Sequence, residues 1–303
     1  MKKIGIIILS MLLIFGCGNG GVPKDDKNAG EEKITVKFIF PEGLPALSVL
    51  GMYSENKQFE DNVNIKYEKA ATAETLTGSL LTEDDNIIAI VPSSLAAQLY
   101  NKNMGYKILG TVSWGSLYLV SSENISGLED LKNKKIGIIG RGQTPDIVFR
   151  NILSKNNIDA ESLDLEYFSS GTELASSLAA GKIKTAVLSE PAASILLKKN
   201  TDVKMILSLN EEWKKLYSNK YGFPQATLIA KVGVLKKYPD IAKKLALELE
   251  EQNKWFIGLG NKDEFLKTAE LSIPAAFLPE IIKNFNINFL SINLSKLSTK
   301  SDI

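Results

Sequence analysis

The chain has 303 residues, 44% of them hydrophobic, which is enough to bury a sizeable core and close to the length at which one core divides into two. Its 36 basic and 35 acidic residues leave a formal charge of +1, so it carries no electrostatic footprint for nucleic acid. It contains no histidine, the usual general acid/base near neutral pH and the usual ligand of Zn or Cu, so most hydrolase and metalloenzyme mechanisms lose their parts and neither cofactor nor metal is expected.

At the N-terminus Lys2 and Lys3 precede an apolar run from Ile4 to Phe15, interrupted only by Gly5 and Ser10. The run is too short to span a bilayer comfortably and reads as a secretory signal peptide over residues 1–16. The sequence Leu13-Ile14-Phe15-Gly16-Cys17 resembles a bacterial lipobox, with a small residue ahead of the only cysteine. Cys17 is therefore expected to be lipidated and to begin the mature chain, whose formal charge falls from +1 to −1 with the loss of Lys2 and Lys3. The plainer alternative is an ordinary cleaved signal with an incidental cysteine; the absence of any other cysteine and the polar Gly18-Asn19-Gly20-Gly21 favour the anchor. One acyl chain binds a membrane only marginally, so durable anchoring calls for the diacylglycerol plus N-acyl arrangement of bacterial lipoproteins. Residues 17–33 mix Gly, Asn, Lys, Asp and Glu and read as a flexible tether.

From Ile34 short apolar strands alternate with helical periods, the pattern of βα units around a largely parallel sheet. The runs Ile87–Val91, Ile136–Ile139 and Thr185–Leu188 are near-continuously apolar, as in strands covered on both faces. Further strands are expected at Thr35–Phe40, Asn64–Glu68, Lys107–Thr111, Leu117–Val120, Leu163–Phe168, Lys204–Leu209 and Ala226–Ala230. Each of the three clearest strands leads into a polar loop and a helix. Ser93 or Ser94 is expected to cap the first of these helices, Thr144 to cap the second with Pro145 at its first position, and Glu190-Pro191 to open the third. A long helix from about Pro239-Asp240 keeps Ile241, Leu245, Leu249 and Phe256 on one face, the spacing of plain core packing. Two more helices are expected around Asp263–Leu271 and Leu278–Asn284, ahead of a polar end, with no internal repeat.

A set of stretches in fixed order carries a family resemblance: Lys134-Lys135-Ile136-Gly137-Ile138, Gly142-Gln143-Thr144-Pro145-Asp146, Gly171-Thr172-Glu173-Leu174-Ala175, Leu178-Ala179-Ala180-Gly181-Lys182 and Leu188-Ser189-Glu190-Pro191-Ala192. Together they resemble the nitrate, sulfonate, taurine and thiamine-precursor binding proteins of ABC importers. The resemblance implies a type II periplasmic-binding fold: two α/β lobes, each a mostly parallel sheet flanked by helices. It places lobe 1 at 34–117, lobe 2 at 118–223 and a return to lobe 1 at 224–303, with crossings near Ser116–Ser121 and Gly222–Thr227. It further implies a solute held between the lobes, a separate permease and ATPase as partners, and a location on the extracytoplasmic side of the membrane. A monomer suits a receptor that docks one closed unit on a permease.

In open α/β sheets ligands bind beyond the carboxyl ends of strands, which selects the candidate residues. The loop Gly140–Asp146, with Gly142, Gln143 and Thr144, offers backbone N–H donors at a helix start; an ordinary capped turn is its plainer reading. Arg141, one of only two arginines, either grips an anion in bidentate fashion or remains a solvated charge. Ser93 and Ser94 either touch solute or serve only as caps. Glu190 accepts from a ligand donor, stabilises the helix dipole or pairs with Arg141, and Trp114 lines the pocket or fills the lobe core. Gly43, Leu44, Pro45, Thr72 and Gln225 follow from position alone.

The expected function is thus an extracytoplasmic solute-binding lipoprotein that catalyses nothing, its solute a sulfonate-, nitrate- or taurine-like anion or a thiamine-precursor-like ring. Pyrimidine-precursor synthases share this fold and are the enzymatic alternative, but they depend on an active-site histidine, which this chain lacks. A surface lipoprotein with a vestigial cleft is a third reading. The effector domain of a transcription regulator is a fourth, and it needs a DNA-binding module where this chain carries its signal.

Overall fold

The computed structural model describes residues 34–59 and 61–258, with the side chains of 253–258 excepted. The expected signal peptide, Cys17, the tether, the side chain of Phe256 and the helices at Asp263–Leu271 and Leu278–Asn284 lie outside the described residues. In chain order the elements are β1 (Ile34–Pro41), α1 (Leu44–Leu47), α2 (Leu50–Ser54), β2 (Val63–Ala70), α3 (Ala73–Leu80), β3 (Ile87–Pro92), α4 (Ser93–Asn101), β4 (Tyr106–Trp114), β5 (Leu117–Ser121), β6 (Lys135–Ile139), α5 (Thr144–Lys155), β7 (Asp164–Phe168), α6 (Gly171–Ala179), β8 (Thr185–Ser189), α7 (Ala192–Lys199), β9 (Lys204–Ser208), α8 (Leu209–Tyr217), β10 (Pro224–Lys231), α9 (Val232–Lys237) and α10 (Ile241–Gly258).

The strands form two five-stranded sheets, ordered β2-β1-β3-β10-β4 and β7-β6-β8-β5-β9. In the first sheet β1 pairs in parallel with β2 and β3, while β10 is antiparallel to both β3 and β4. Four strands therefore run one way and β10 alone runs the other. The second sheet repeats this: β6 is parallel to β7 and β8, and β5 is antiparallel to β8 and β9. The reversed strand in each sheet is the one by which the chain arrives from the other sheet.

Period-two alternation sends each strand's side chains into two cores per lobe. Phe38 and Phe40 of β1 pack on one face with Met52 of α2 and Ile241, Leu245 and Leu249 of α10, while Ile39 packs on the other with Leu76 and Leu80 of α3 and Leu99 of α4. In the second lobe Leu117 and Leu119 face Phe149, Ile152 and Leu153 of α5, and Tyr118 and Val120 face Leu174 and Leu178 of α6. Full burial of one such side chain stabilises the fold by about 1.5–3 kcal/mol.

The chain passes from the first sheet to the second through Gly115 and Ser116, both at positive φ (67° and 79°), and returns past Gly222 at φ 93°. A Cβ on Gly115 or Gly222 would run into the Asn210 side chain, which sits between the two crossings. Asn210 accepts from Phe223 N–H at 3.3 Å and donates to the Tyr221 carbonyl at 3.3 Å. Gly115 N–H donates to the Phe223 carbonyl at 3.0 Å, and the Ser116 hydroxyl donates to Gln225 Oε1 at 2.7 Å, tying the two segments side by side.

The expected helix caps shift by a residue. Pro92, Gln143 and Pro191 occupy the N-cap positions of α4, α5 and α7, none with a side-chain cap bond. The physical reason lies in tertiary bonding: the Ser93 hydroxyl pairs with that of Thr227 at 2.7 Å, and the Thr144 hydroxyl pairs with Ser94. Those oxygens are turned away from the helix starts they were expected to cap.

Candidate functional site

The carboxyl ends of β1, β2 and β3 from one lobe face those of β6, β7 and β8 from the other, and the loops that follow enclose a cleft of about 310 Å³. That is the lower end of the size range of small-molecule sites. Pro41 to Pro45, Lys69 to Ala73 with Leu76, and Pro92 line it from the first lobe. Ile139, Gln143 to Pro145, Ser169 to Thr172 and Ser189 to Ala192 with Ile195 line it from the second, and Gln225 and Ala226 close the hinge side.

Of the residues singled out from the sequence, Gly43, Leu44, Pro45, Thr72, Gln143, Thr144, Glu190 and Gln225 stand on this lining. Thr72 caps α3 reciprocally: its hydroxyl accepts from Thr75 N–H at 3.2 Å while its own N–H donates to the Thr75 hydroxyl at 3.0 Å. Gln143 follows a tight turn that needs glycine, because Gly140 has φ 62° and a Cβ there would lie 2.6 Å from Gln143 Cδ. Thr144 reaches across the cleft, where its hydroxyl accepts from Ser94 N–H at 3.3 Å and donates to Ser94 Oγ at 3.2 Å. Glu190 is 2% exposed, and its carboxylate lies on the first turn of α7, accepting from Ser194 N–H at 3.2 Å and from the Ser194 hydroxyl at 2.8 Å.

The other five stand elsewhere. Ser93 faces Thr227 and Ser94 faces Thr144. The Trp114 ring lies 5.4 Å from that of Tyr221 beside the crossings. Gly142 N–H donates to Asp146 at 2.8 Å. Arg141 is exposed, its guanidinium 4.9 Å above the Tyr167 ring.

Four features went unread in the sequence. Lys69 stands 3.5 Å from Glu42 on the rim, a pair set by the β1–β2 register. Ser170 caps α6 by accepting from Glu173 N–H at 3.2 Å, and Glu173 accepts from Ser169 N–H and hydroxyl at 3.1 and 2.6 Å. The Ser169 bonds hold the Glu173 carboxyl below the usual carboxylate range. The spacing Ser170-x-x-Glu173 is a capping-box signal that was available. Arg150 is engaged by Asp146 at 2.9 Å, Glu161 at 2.9 Å and the Tyr167 hydroxyl at 3.0 Å. Burial, with Glu190 adding to it, pushes the Tyr118 phenol up beyond its usual range. Among the described residues no group of three or more His, Cys, Asp or Glu side chains is placed to hold a metal ion.

Residues 108–251 match the family described as NMT1/THI5 like. Among curated proteins no match is found. Solved structures share the fold: an ABC transporter protein from Parabacteroides distasonis is 25% identical with a TM-score of 0.64, covering 84% of this chain and 86% of its own. The alkanesulfonate-binding protein SsuA from Xanthomonas axonopodis pv. citri, bound to MOPS, is 13% identical with a TM-score of 0.66, covering 83% and 84%. The periplasmic nitrate-binding protein NrtA from Synechocystis is 14% identical with a TM-score of 0.59, covering 77% of this chain and 65% of its own. The resemblance read from the sequence and the two-lobed α/β fold are both borne out, and these neighbours are binding and transport proteins rather than enzymes.

Proposed function

From the NMT1/THI5-like segment and the fold shared with ABC-importer binding proteins, we propose that this chain is the solute receptor of an ABC importer, held outside the cytoplasmic membrane by a lipid on Cys17. The observation that carries the reading is the convergence of loops from six strand ends, three per lobe, on one cleft of about 310 Å³. Residues 34–117 with 224–303 act as one lobe and 118–223 as the other, turning about Gly115-Ser116 and Gly222. A solute that bridges both walls favours the closed arrangement by the difference in its affinity for the two. The closed monomer then presents both lobes to the permease.

A thermal-shift screen of small solutes tests the receptor reading: a ligand at about 100 times its Kd adds roughly 2.7 kcal/mol of stability. A binder that leaves the radius of gyration unchanged would sink the hinge motion. For the anchor, Cys17→Ala should move the exported protein from the membrane to the soluble fraction; retention at the membrane would overturn it.

A further inference from the structure

The hinge crossing and the cleft share one side-chain contact, between Ser116 and Gln225. On β10 Pro224 stands opposite Trp114 and Ala226 opposite Ser113, so Gln225 is the extra residue of a β-bulge. Bulges re-aim the side chain they carry, and this one stands on the cleft lining at the hinge side. A carboxamide has an acceptor at one end and two donors at the other. The Ser116 hydroxyl takes the acceptor end, donating to Gln225 Oε1 at 2.7 Å. Nε2 has no partner among the described residues and is not sealed away from space, so it is the end left for an acceptor in the cleft. Gln143, the other amide on the lining, packs over Gly140 with no side-chain hydrogen bond among the described residues to fix which end it presents.

Ser116 stands where the backbone favours glycine. Its φ is 79°, directly after Gly115 at 67°, a region in which an L side chain is strained. A second glycine would meet the geometry of the crossing more easily, and the hydroxyl is what serine adds. The same residue is held from the second lobe, because its carbonyl accepts from Glu190 N–H at 3.1 Å, just past β8. Ser116 therefore joins two cleft residues, one through its side chain and one through its backbone, and a solute that draws on the Gln225 amide draws on the crossing about which the lobes turn.

Resting on the receptor reading above, we infer that Ser116 is a positioning residue for solute capture. Its hydroxyl sets the Gln225 carboxamide so that Nε2–H donates to an acceptor oxygen of the solute, a carbonyl, carboxylate or sulfonyl oxygen, at the hinge end of the cleft. Isothermal titration of the full chain with short carboxylates, primary amides, alkanesulfonates and nitrate supplies the probe. Ser116→Gly, which suits the backbone but lacks the hydroxyl, and Gln225→Ala should each weaken that probe roughly fivefold, the effect of one neutral hydrogen bond. The double variant should lose no more than Gln225→Ala alone. Losses that multiply in the double variant, or binding that neither substitution changes, overturn the inference and keep the receptor; no binding of any probe to the unsubstituted chain overturns both. Side-chain 15N relaxation of the ligand-free chain reads the orientation directly, with the Gln225 signal identified by its disappearance in Gln225→Glu. An ordered amide that becomes mobile in Ser116→Gly is the expected result, and an amide equally mobile in both chains overturns the role given to the hydroxyl.

Discussion

The two sheets share one layout but build unlike walls. Each has its reversed strand in the fourth place, β10 in one and β5 in the other, and each sends the loops after its three adjacent parallel strands into the cleft. The first lobe fills those loops with Leu44, Pro45 and Leu76, keeping its ion pair Lys69–Glu42 at the rim. The second fills them with Gln143, Thr144, Ser169, Ser170 and Glu190, backed by the Asp146–Arg150–Tyr167 cluster. Topology settles where loops meet; the side chains they carry settle what each wall can hold.

The largest expected effects test whether the lobes are as separate as their cores. Phe38 and Phe149 are both fully buried, one in each lobe, and truncating either to Ala should cost about 3–5 kcal/mol. Hydrogen exchange should quicken in the second sheet alone for Phe149→Ala and in the first alone for Phe38→Ala; equal changes in both would show a single cooperative unit. Next comes Asp146→Ala, which removes a buried carboxylate from Gly142 N–H, Arg150 and Tyr167 at once and should cost about 2–3 kcal/mol by urea denaturation. The first lobe has no counterpart of this cluster among its described cleft residues, so the loss should fall on the second.

Alkaline pH acts on the lobes unequally in the opposite sense. Burial raises the phenols of Tyr67 and Tyr106 in the first lobe and of Tyr118 in the second. A group raised in the folded state stabilises fully below its unfolded value, here about 10, and loses that contribution as pH climbs towards the folded one. The loss is at most about 1.4 kcal/mol per pH unit for each tyrosine. The first lobe should therefore loosen faster above pH 10, and Tyr106→Phe should flatten its slope in a pH series of hydrogen exchange.

How far the sequence could reach follows from the range of the forces involved. All ten strands were legible because their signal is local: Ile87–Val91 is apolar at every position, and strand ends then name the loops that hold Leu44, Thr72, Gln143 and Glu190. Illegible were orientations set by distant partners. Arg141 is turned by Tyr167 on β7, Trp114 by Tyr221, and Ser93 by Thr227, which lies 134 positions away. Caps failed for the same reason, since a serine at a helix start carries no mark of the remote hydroxyl that competes for it.

That competition sets up the smallest prediction. Thr144 is where the polar wall of the second lobe touches the first, through two bonds to Ser94 at 3.2 and 3.3 Å. Thr144→Val keeps the volume and removes both, at a cost of about 1 kcal/mol. Because the bonds join the lobes, that cost should be charged to the closed arrangement and hardly to either core. The open-to-closed ratio of the ligand-free protein would then rise about fivefold, seen as a larger radius of gyration with an unchanged Tm for each lobe. An unchanged radius with a lowered Tm would mean that Thr144 serves the fold of α5 instead, and the two walls would then meet without a latch between them.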